Sequence, residues 1–414
     1  MEEQGRNRWF ILIASILCNL SIGSAYAWSV FQKPLLAIFP WTPSEASLAF
    51  TLSLAVMPVA MIIAGRIQDR QGPRLVMMVG GAMYGVGVFA IGYGSSLTFL
   101  YLMYGVFGGL GIGTVYACAI ANTVKWFPDK RGLASGLIAA GLGSGAVVFA
   151  PVGTALIQNF GVLSAFKILG VVYLVVIVGC ASLVVKPPAN YRPQGWQPPA
   201  VTAMNPGVVD KNWRDMLTDP MFYVLWVTYT AGAVSGLMLI GHASPIGQEV
   251  IKLTAAMAAM AVSVLALANT GGRIFWGWVA DKIGRYQALT ALYAAVAAMM
   301  FLLPNVSQFV PFVIVISTVG LCYGGLLGIF PIITADLFGM KNLGMNYGIM
   351  FSAVSAAAVI GPRLAAQVKE ASGGYNQAFL ISAVLSACGM VLILFVKYQS
   401  EKRRRQNVAA AEAR

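Results

Sequence analysis

The sequence predicts an all-α integral membrane protein, twelve transmembrane helices in two pseudo-symmetric six-helix halves, and three observations carry that expectation. Of its 414 residues, 58% are hydrophobic and 10% are charged, and the mean hydropathy is +0.77. A soluble domain carries roughly 25% charge. Twelve apolar stretches are long enough to cross a bilayer, and a polar break divides them six and six. One loop motif occurs at the same point of each half.

A bilayer-crossing helix needs about 20 mostly apolar residues. In chain order that ruler gives 10–31, 45–65, 75–93, 99–125, 133–156 and 163–185, then 220–240, 253–280, 286–303, 309–335, 343–366 and 375–396. The first stretch is too long, and lacks the small-residue cleavage site, for a removable signal peptide, so it reads as a retained first helix. Loops within each half are short, which makes successive helices antiparallel neighbours. The longest polar break, 186–219, holds Pro187, Pro188, Pro193, Pro198, Pro199 and Pro206 with Asp210, Lys211, Arg214 and Asp215. The expected organisation is an N-terminal half over 1–185, a linker over 186–219, a C-terminal half over 220–396 and a basic tail over 397–414.

The chain has 27 Lys+Arg against 14 Asp+Glu, a net charge of +13. In a soluble protein such an excess would suggest nucleic acid. Here it has a topological reading, because basic residues collect in cytoplasmic loops, and no nucleic-acid partner is expected. With the amino terminus inside, 21 of the 27 basic residues fall on the cytoplasmic side, Lys33, Lys167, Lys252, Arg363 and Lys369 fall outside, and Arg273 lies within a span. Both termini are therefore expected in the cytoplasm, with Lys402, Arg403, Arg404 and Arg405 in a solvated tail. All five cysteines sit in apolar stretches without paired or metal-type spacing, and His242 is the single histidine. A disulfide framework, a zinc site and His-based metal chemistry are not expected. The sequence holds no Gly-x4-Gly-Lys-Ser/Thr loop, so neither ATP nor another cofactor is expected to act directly.

After the second span the chain reads Gly65-Arg66-Ile67-Gln68-Asp69-Arg70-Gln71-Gly72-Pro73-Arg74. After the eighth it reads Gly277-Trp278-Val279-Ala280-Asp281-Lys282-Ile283-Gly284-Arg285, an offset of 212 positions. The shared pattern (Gly65, Asp69, Arg70, Gly72, Arg74 and Gly277, Asp281, Lys282, Gly284, Arg285) is a duplication signal. The first Gly lets a helix end approach a neighbour, the Asp accepts from basic side chains and backbone donors, and the second Gly permits a tight turn. Such an element is structural and gating.

The duplicated motif resembles the cytoplasmic loop motif of the major facilitator superfamily, which implies the major facilitator fold. The stretch Phe127-Pro128-Asp129-Lys130-Arg131-Gly132-Leu133-Ala134-Ser135-Gly136-Leu137-Ile138-Ala139-Ala140-Gly141, followed by Gly145, resembles the fifth-helix signature of the monocarboxylate transporter (monocarboxylate porter) family, bacterial lactate transporters included. It is also similar to that of the oxalate-formate antiporter. The acidic-Gly signature expected before the first helix is missing: Gly5-Arg6-Asn7-Arg8-Trp9 keeps only Gly and Trp.

All fourteen Asp and Glu fall in tails, loops or helix ends, whereas Arg273 sits about two turns inside the eighth span. A cation there costs about 2.5–3.5 kcal/mol on insertion scales and marks a functional site by default. A substrate carboxylate fits, since the guanidinium fork grips two oxygens; the bland alternative is an Arg snorkelling to the surface. The resemblance implies an essential Arg in this helix. Asn269 lies one turn earlier on the same face, where many animal relatives have Asp. Tyr116 on the fourth span lies at a similar depth; Tyr323, Tyr26 and Leu142 complete the candidate substrate-binding set, Leu142 as an apolar wall. His242, at the outer end of the seventh span, is a possible proton site because imidazole titrates in the right range. The run Gly108-Gly109-Leu110-Gly111-Ile112-Gly113 follows no strand, so close helix packing explains it better than a dinucleotide loop.

The expected function is secondary active transport of a small monocarboxylate such as lactate or pyruvate, proton-coupled, with alternating access by rocking one half against the other. The resemblance implies a multi-pass protein of the cell (inner) membrane, and a monomer is compatible with it. Val30 stands where animal relatives carry a Lys, so the proton rides either on the substrate acid or on His242. The alternative is an organic-anion exchanger of the oxalate-formate type. That antiporter pairs a second carboxylate with a Lys in the eleventh helix, and Val354 stands at that position. An integral membrane enzyme would need a buried nucleophile and a base, which the spans do not offer.

Overall fold

The computed structural model describes residues 7–188, 191–193, 195–196 and 210–412, without the side chains of residues 44, 255 and 403–412. Much of the expected linker, namely 189–190, 194 and 197–209, lies outside the described residues, as do residues 413–414 and the side chains of Arg403, Arg404 and Arg405 in the tail. All regular secondary structure among the described residues is helical, and twelve helical segments are long and apolar enough to cross a membrane.

The first span is interrupted. Helix α1 (Arg8–Ile22) gives way to a 3-10 turn at Gly23–Ala27 and resumes as α2 (Trp28–Ile38). Gly23 presses so closely on the Leu142 carbonyl and Gly145 that a Cβ would have no room. The loosened backbone is not left bare: Ser24 Oγ donates to Ser21 O at 2.7 Å and the Tyr104 hydroxyl to Ala25 O at 3.2 Å, as burial in an apolar medium requires.

Helix α3 (Pro43–Gln71) starts at a capping box in which the Thr42 and Glu45 side chains bond each other's backbone N–H. It is followed by α4 (Pro73–Ile91), then by α5 (Leu97–Leu100), a π-helical stretch (Tyr101–Gly108) and α6 (Gly109–Trp126), which together form the fourth span. Next come α7 (Arg131–Phe160), α8 (Val162–Leu183) and the short α9 (Trp213–Leu217). The second set of spans is α10 (Pro220–Glu249), α11 (Ala255–Ile283), α12 (Arg285–Leu302), α13 (Phe309–Phe338), α14 (Leu343–Ser372) and α15 (Asn376–Glu412).

Helices α3 and α11 run through the motif residues that the sequence reading assigns to loops. Each stops only at the second motif glycine, Gly72 or Gly284, both with φ +92°, a conformation that a Cβ would strain.

The chain forms two compact units. Unit 1 comprises Met1–Pro128, Leu137–Tyr191 and Met340–Ile349; unit 2 comprises Asp129–Gly136, Arg192–Gly339 and Met350–Arg414. Within unit 1, α4 packs along α8 and α3 along α6; within unit 2, α11 packs along α13, and α15 along both α10 and α12. Large apolar side chains such as Phe10, Val175, Phe301, Val310 and Val391 are more than half exposed, an arrangement that lipid rather than water accommodates.

Candidate functional site

What brings Arg273 into the interior of unit 2 is a stripe of glycines. Gly320, Gly324 and Gly328 recur every fourth residue on α13 and face Leu265, Asn269 and Arg273, which recur every fourth residue on α11. A Cβ at Gly320 would lie 2.9 Å from the Leu265 carbonyl oxygen and one at Gly328 2.8 Å from that of Arg273; at Gly324 it would collide with the Asn269 carbonyl. In lipid, helix association relies on this close backbone approach. Gly136 meets the Arg273 carbonyl as well. The stripe is readable in Gly320-Leu321-Cys322-Tyr323-Gly324-Gly325-Leu326-Leu327-Gly328, but sequence reasoning passes over it because no charged residue draws attention to it.

So placed, Arg273 is 4% exposed, and its Nε donates to Asn269 Oδ1 at 3.4 Å. That contact is long, and it orients the guanidinium while leaving Asn269's own amide hydrogens as further donors. Tyr323, 6% exposed, lays its ring against Gly236 of α10. Nearby in the sequence of α14, Trp226 Nε1 donates to Ser352 Oγ at 2.9 Å and Thr230 Oγ1 to Ala353 O at 3.3 Å, tying α10 to the segment that carries Val354. The sequence does not single out these polar partners, since Trp226 and Ser352 lie 126 residues apart.

In unit 1, Tyr116 and Leu142 are buried on α6 and α7, and the Leu142 carbonyl abuts Gly23 at the break in the first span. Tyr26 is more open than either: it is 42% exposed, with its ring 6.2 Å from that of Phe50. The Gly108–Gly113 run packs on two sides, Gly109 and Gly113 against Ser53 and Met57 of α3, and Gly111 against Gly80 and Tyr84 of α4. His242 belongs to a different group, with Pro362 and Tyr375.

The two motif aspartates hold helix starts. In unit 2, Asp281 accepts the Gly132 and Leu133 N–H groups, both at 2.9 Å, where the positive end of a helix favours a carboxylate. In unit 1, Asp69 accepts the Met345 N–H at 3.1 Å and Lys125 Nζ at 3.0 Å. Gly65 lies against the backbone of Gly344, and Gly277 against that of Gly132. Arg285 and Arg131 share Asp336 at 3.2 and 3.0 Å, whereas Arg70, Arg74 and Lys282 are exposed. Among the described residues no group of three His, Cys, Asp or Glu is placed to hold a metal ion.

A family profile described as the Major Facilitator Superfamily matches residues 9–332 and 294–414. The chain belongs to the major facilitator superfamily. It is a multi-pass membrane transporter of that superfamily. It is 34% identical to the oxalate:formate antiporter of Oxalobacter formigenes over 396 residues, covering 94% of this chain and 91% of that one. It is 24% identical to monocarboxylate transporter 12 of Rattus norvegicus, covering 87% of this chain and 78% of the other. The superfamily transporter FucP, in a crystal structure of its outward conformation, matches with a TM-score of 0.69 at 16% identity, over 94% of this chain and 99% of that one, which concerns the fold alone.

Proposed function

We propose that this superfamily member is a secondary active transporter of a small monocarboxylate of the lactate or pyruvate class, working as a proton symporter by alternating access. The observation that carries the reading is Arg273, a guanidinium buried to 4% exposure inside an apolar helix and steadied by Asn269. Buried cations are retained where they meet an anion, and a planar fork suits a carboxylate. Tyr116, Tyr323, Leu142 and Tyr26 complete the proposed substrate set, with Leu142 against a short alkyl chain. The termini are assigned to the cytoplasm of a cell whose inner membrane holds the protein. Motif residues around Asp69 and Asp281 serve gating.

A second reading, exchange of organic anions, is favoured by the 34% identity to an oxalate:formate antiporter. Val354 weighs against it, because a second carboxylate would meet an apolar side chain. Uptake of a labelled monocarboxylate panel by proteoliposomes, with and without an inward pH gradient and with and without a loaded counter-anion, separates the two. Uptake that ignores the gradient but requires the counter-anion would replace the symport reading with exchange.

A further inference from the structure

About two turns before the end of α10, His242 links α10 to α14 and to the residue that leads into α15, all within unit 2. Its Nε2 lies 3.2 Å from the carbonyl oxygen of Pro362 on α14, and its Nδ1 lies 3.5 Å from the hydroxyl of Tyr375, the residue that precedes α15. A carbonyl can only accept, so Nε2 carries a hydrogen in either charge state, and Nδ1 is the atom that gains or loses one. With the imidazole neutral, the Tyr375 hydroxyl donates to Nδ1. With Nδ1 protonated the direction reverses: Nδ1 donates, the Tyr375 oxygen accepts, and the hydroxyl hydrogen turns away.

The surroundings make that reversal consequential. Tyr375 is buried at 2% exposure, and Lys369 Nζ of α14 stands 5.4 Å from the centre of its ring while pairing with Glu249 Oε1 of α10 at 2.6 Å. An imidazolium and an ammonium would thus flank one aromatic ring, with the Glu249 carboxylate paired to the ammonium and Arg363 next to Pro362 in the chain. Both helices joined by His242 are weakened at this level. Pro245 in α10 and Pro362 in α14 each remove an N–H from the helical ladder, and Gly241 lies against the Pro362 ring.

We infer that His242 is where the co-transported proton binds, and that Tyr375 and the Pro362 carbonyl turn its protonation into a change in how α10, α14 and the start of α15 are tied. The inference rests on the proton-symport reading above. The chain supplies no other histidine, and the cluster is partly open to solvent through His242, Lys369 and Glu249.

Proteoliposomes containing the parent, His242→Gln or Tyr375→Phe are compared for lactate accumulation driven by an inward pH gradient and for lactate counterflow at equal pH. Gln retains an amide donor for the Pro362 carbonyl and does not titrate. The ratio of gradient-driven to counterflow uptake is expected to fall about tenfold or more in His242→Gln, and the external pH giving half-maximal accumulation to move by about half a unit or more in Tyr375→Phe. A parental ratio in His242→Gln overturns the proposal and leaves the proton on the substrate acid. An unchanged pH profile in Tyr375→Phe removes Tyr375 from it.

The second measurement needs no transport. With one histidine, 15N-histidine labelling yields a single imidazole in the purified parent. Its Nε2 is expected to stay protonated through the titration while Nδ1 gains the proton; a neutral form with the hydrogen on Nδ1 overturns the assignment. Absence of lactate accumulation in the parent defeats the symport reading instead, and is recognised separately from a failure of the histidine site.

Discussion

Arg273 illustrates how one residue's chemistry and its position combine. On the proposed reading its type answers the need for a fixed planar donor to a carboxylate, and its position is set by glycines that allow α11 to lie against α13. Arg273→Lys keeps the charge but loses the fork, and a charge-assisted hydrogen bond is worth roughly 1.5–3 kcal/mol. Lactate binding to the purified protein is therefore expected to weaken by about tenfold to a hundredfold, and Arg273→Gln to abolish it with the protein still folded. Affinity within twofold of the parent in Arg273→Gln would falsify the assignment. Val354, 8% exposed on α14, gives a second expectation. A dicarboxylate bound at Arg273 leaves its far carboxylate to be stripped of water at a cost of several kcal/mol. Val354→Lys should supply a partner and shift the oxalate-to-lactate uptake ratio upward, while lactate uptake falls because the new ammonium is unmatched. An unchanged ratio, at equal membrane insertion, removes Val354 from the account of selectivity.

Elements of this protein are held together by absent side chains as much as by present ones. Gly324→Val should force α11 and α13 apart at Asn269, one turn from Arg273. Overpacking of this kind costs about 1–3 kcal/mol, enough to lower the melting temperature by a few degrees, and uptake is expected to fall further than stability because the guanidinium moves. Gly179, where an added Cβ would meet nothing within 4 Å, is the control: Gly179→Ala should leave both unchanged. Equal losses in the two variants would mean that glycine content, rather than the α11–α13 contact, sets stability. At the helix starts, Asp281→Ala deprives the Gly132 and Leu133 N–H groups of their acceptor and should cost about 0.5–2 kcal/mol. Thermal unfolding in detergent checks this, and no shift would show that water or another acceptor replaces the carboxylate.

For the whole molecule, the proposed symport makes a prediction independent of any mutation. One proton entering with one monocarboxylate moves no net charge, so lactate uptake should follow the pH gradient and be indifferent to an imposed membrane potential when that gradient is clamped. Potential-driven uptake at clamped pH would contradict one-to-one coupling. A requirement for internal oxalate or another counter-anion would point to exchange.

Twelve spans, the repeated motif and the singular Arg273 are legible in the sequence, because hydropathy and charge add along a chain whatever it folds against. The interruption of the first span at Gly23–Ala27, the π-helical stretch at Tyr101–Gly108 and the continuation of α3 and α11 through their motifs are not. Hydropathy says how many residues are apolar and is blind to a helix that breaks while remaining apolar. Candidate side chains divide in the same way. Arg273 and Asn269 follow from charge and helical spacing, but the burial of Tyr116 and the 42% exposure of Tyr26 depend on how each helix is rotated against its neighbours. In lipid that rotation is decided by shape, since the tails are as apolar as the side chains. Glycines such as Gly320, Gly324 and Gly328 set it through contacts that form only once distant segments of the chain are packed together.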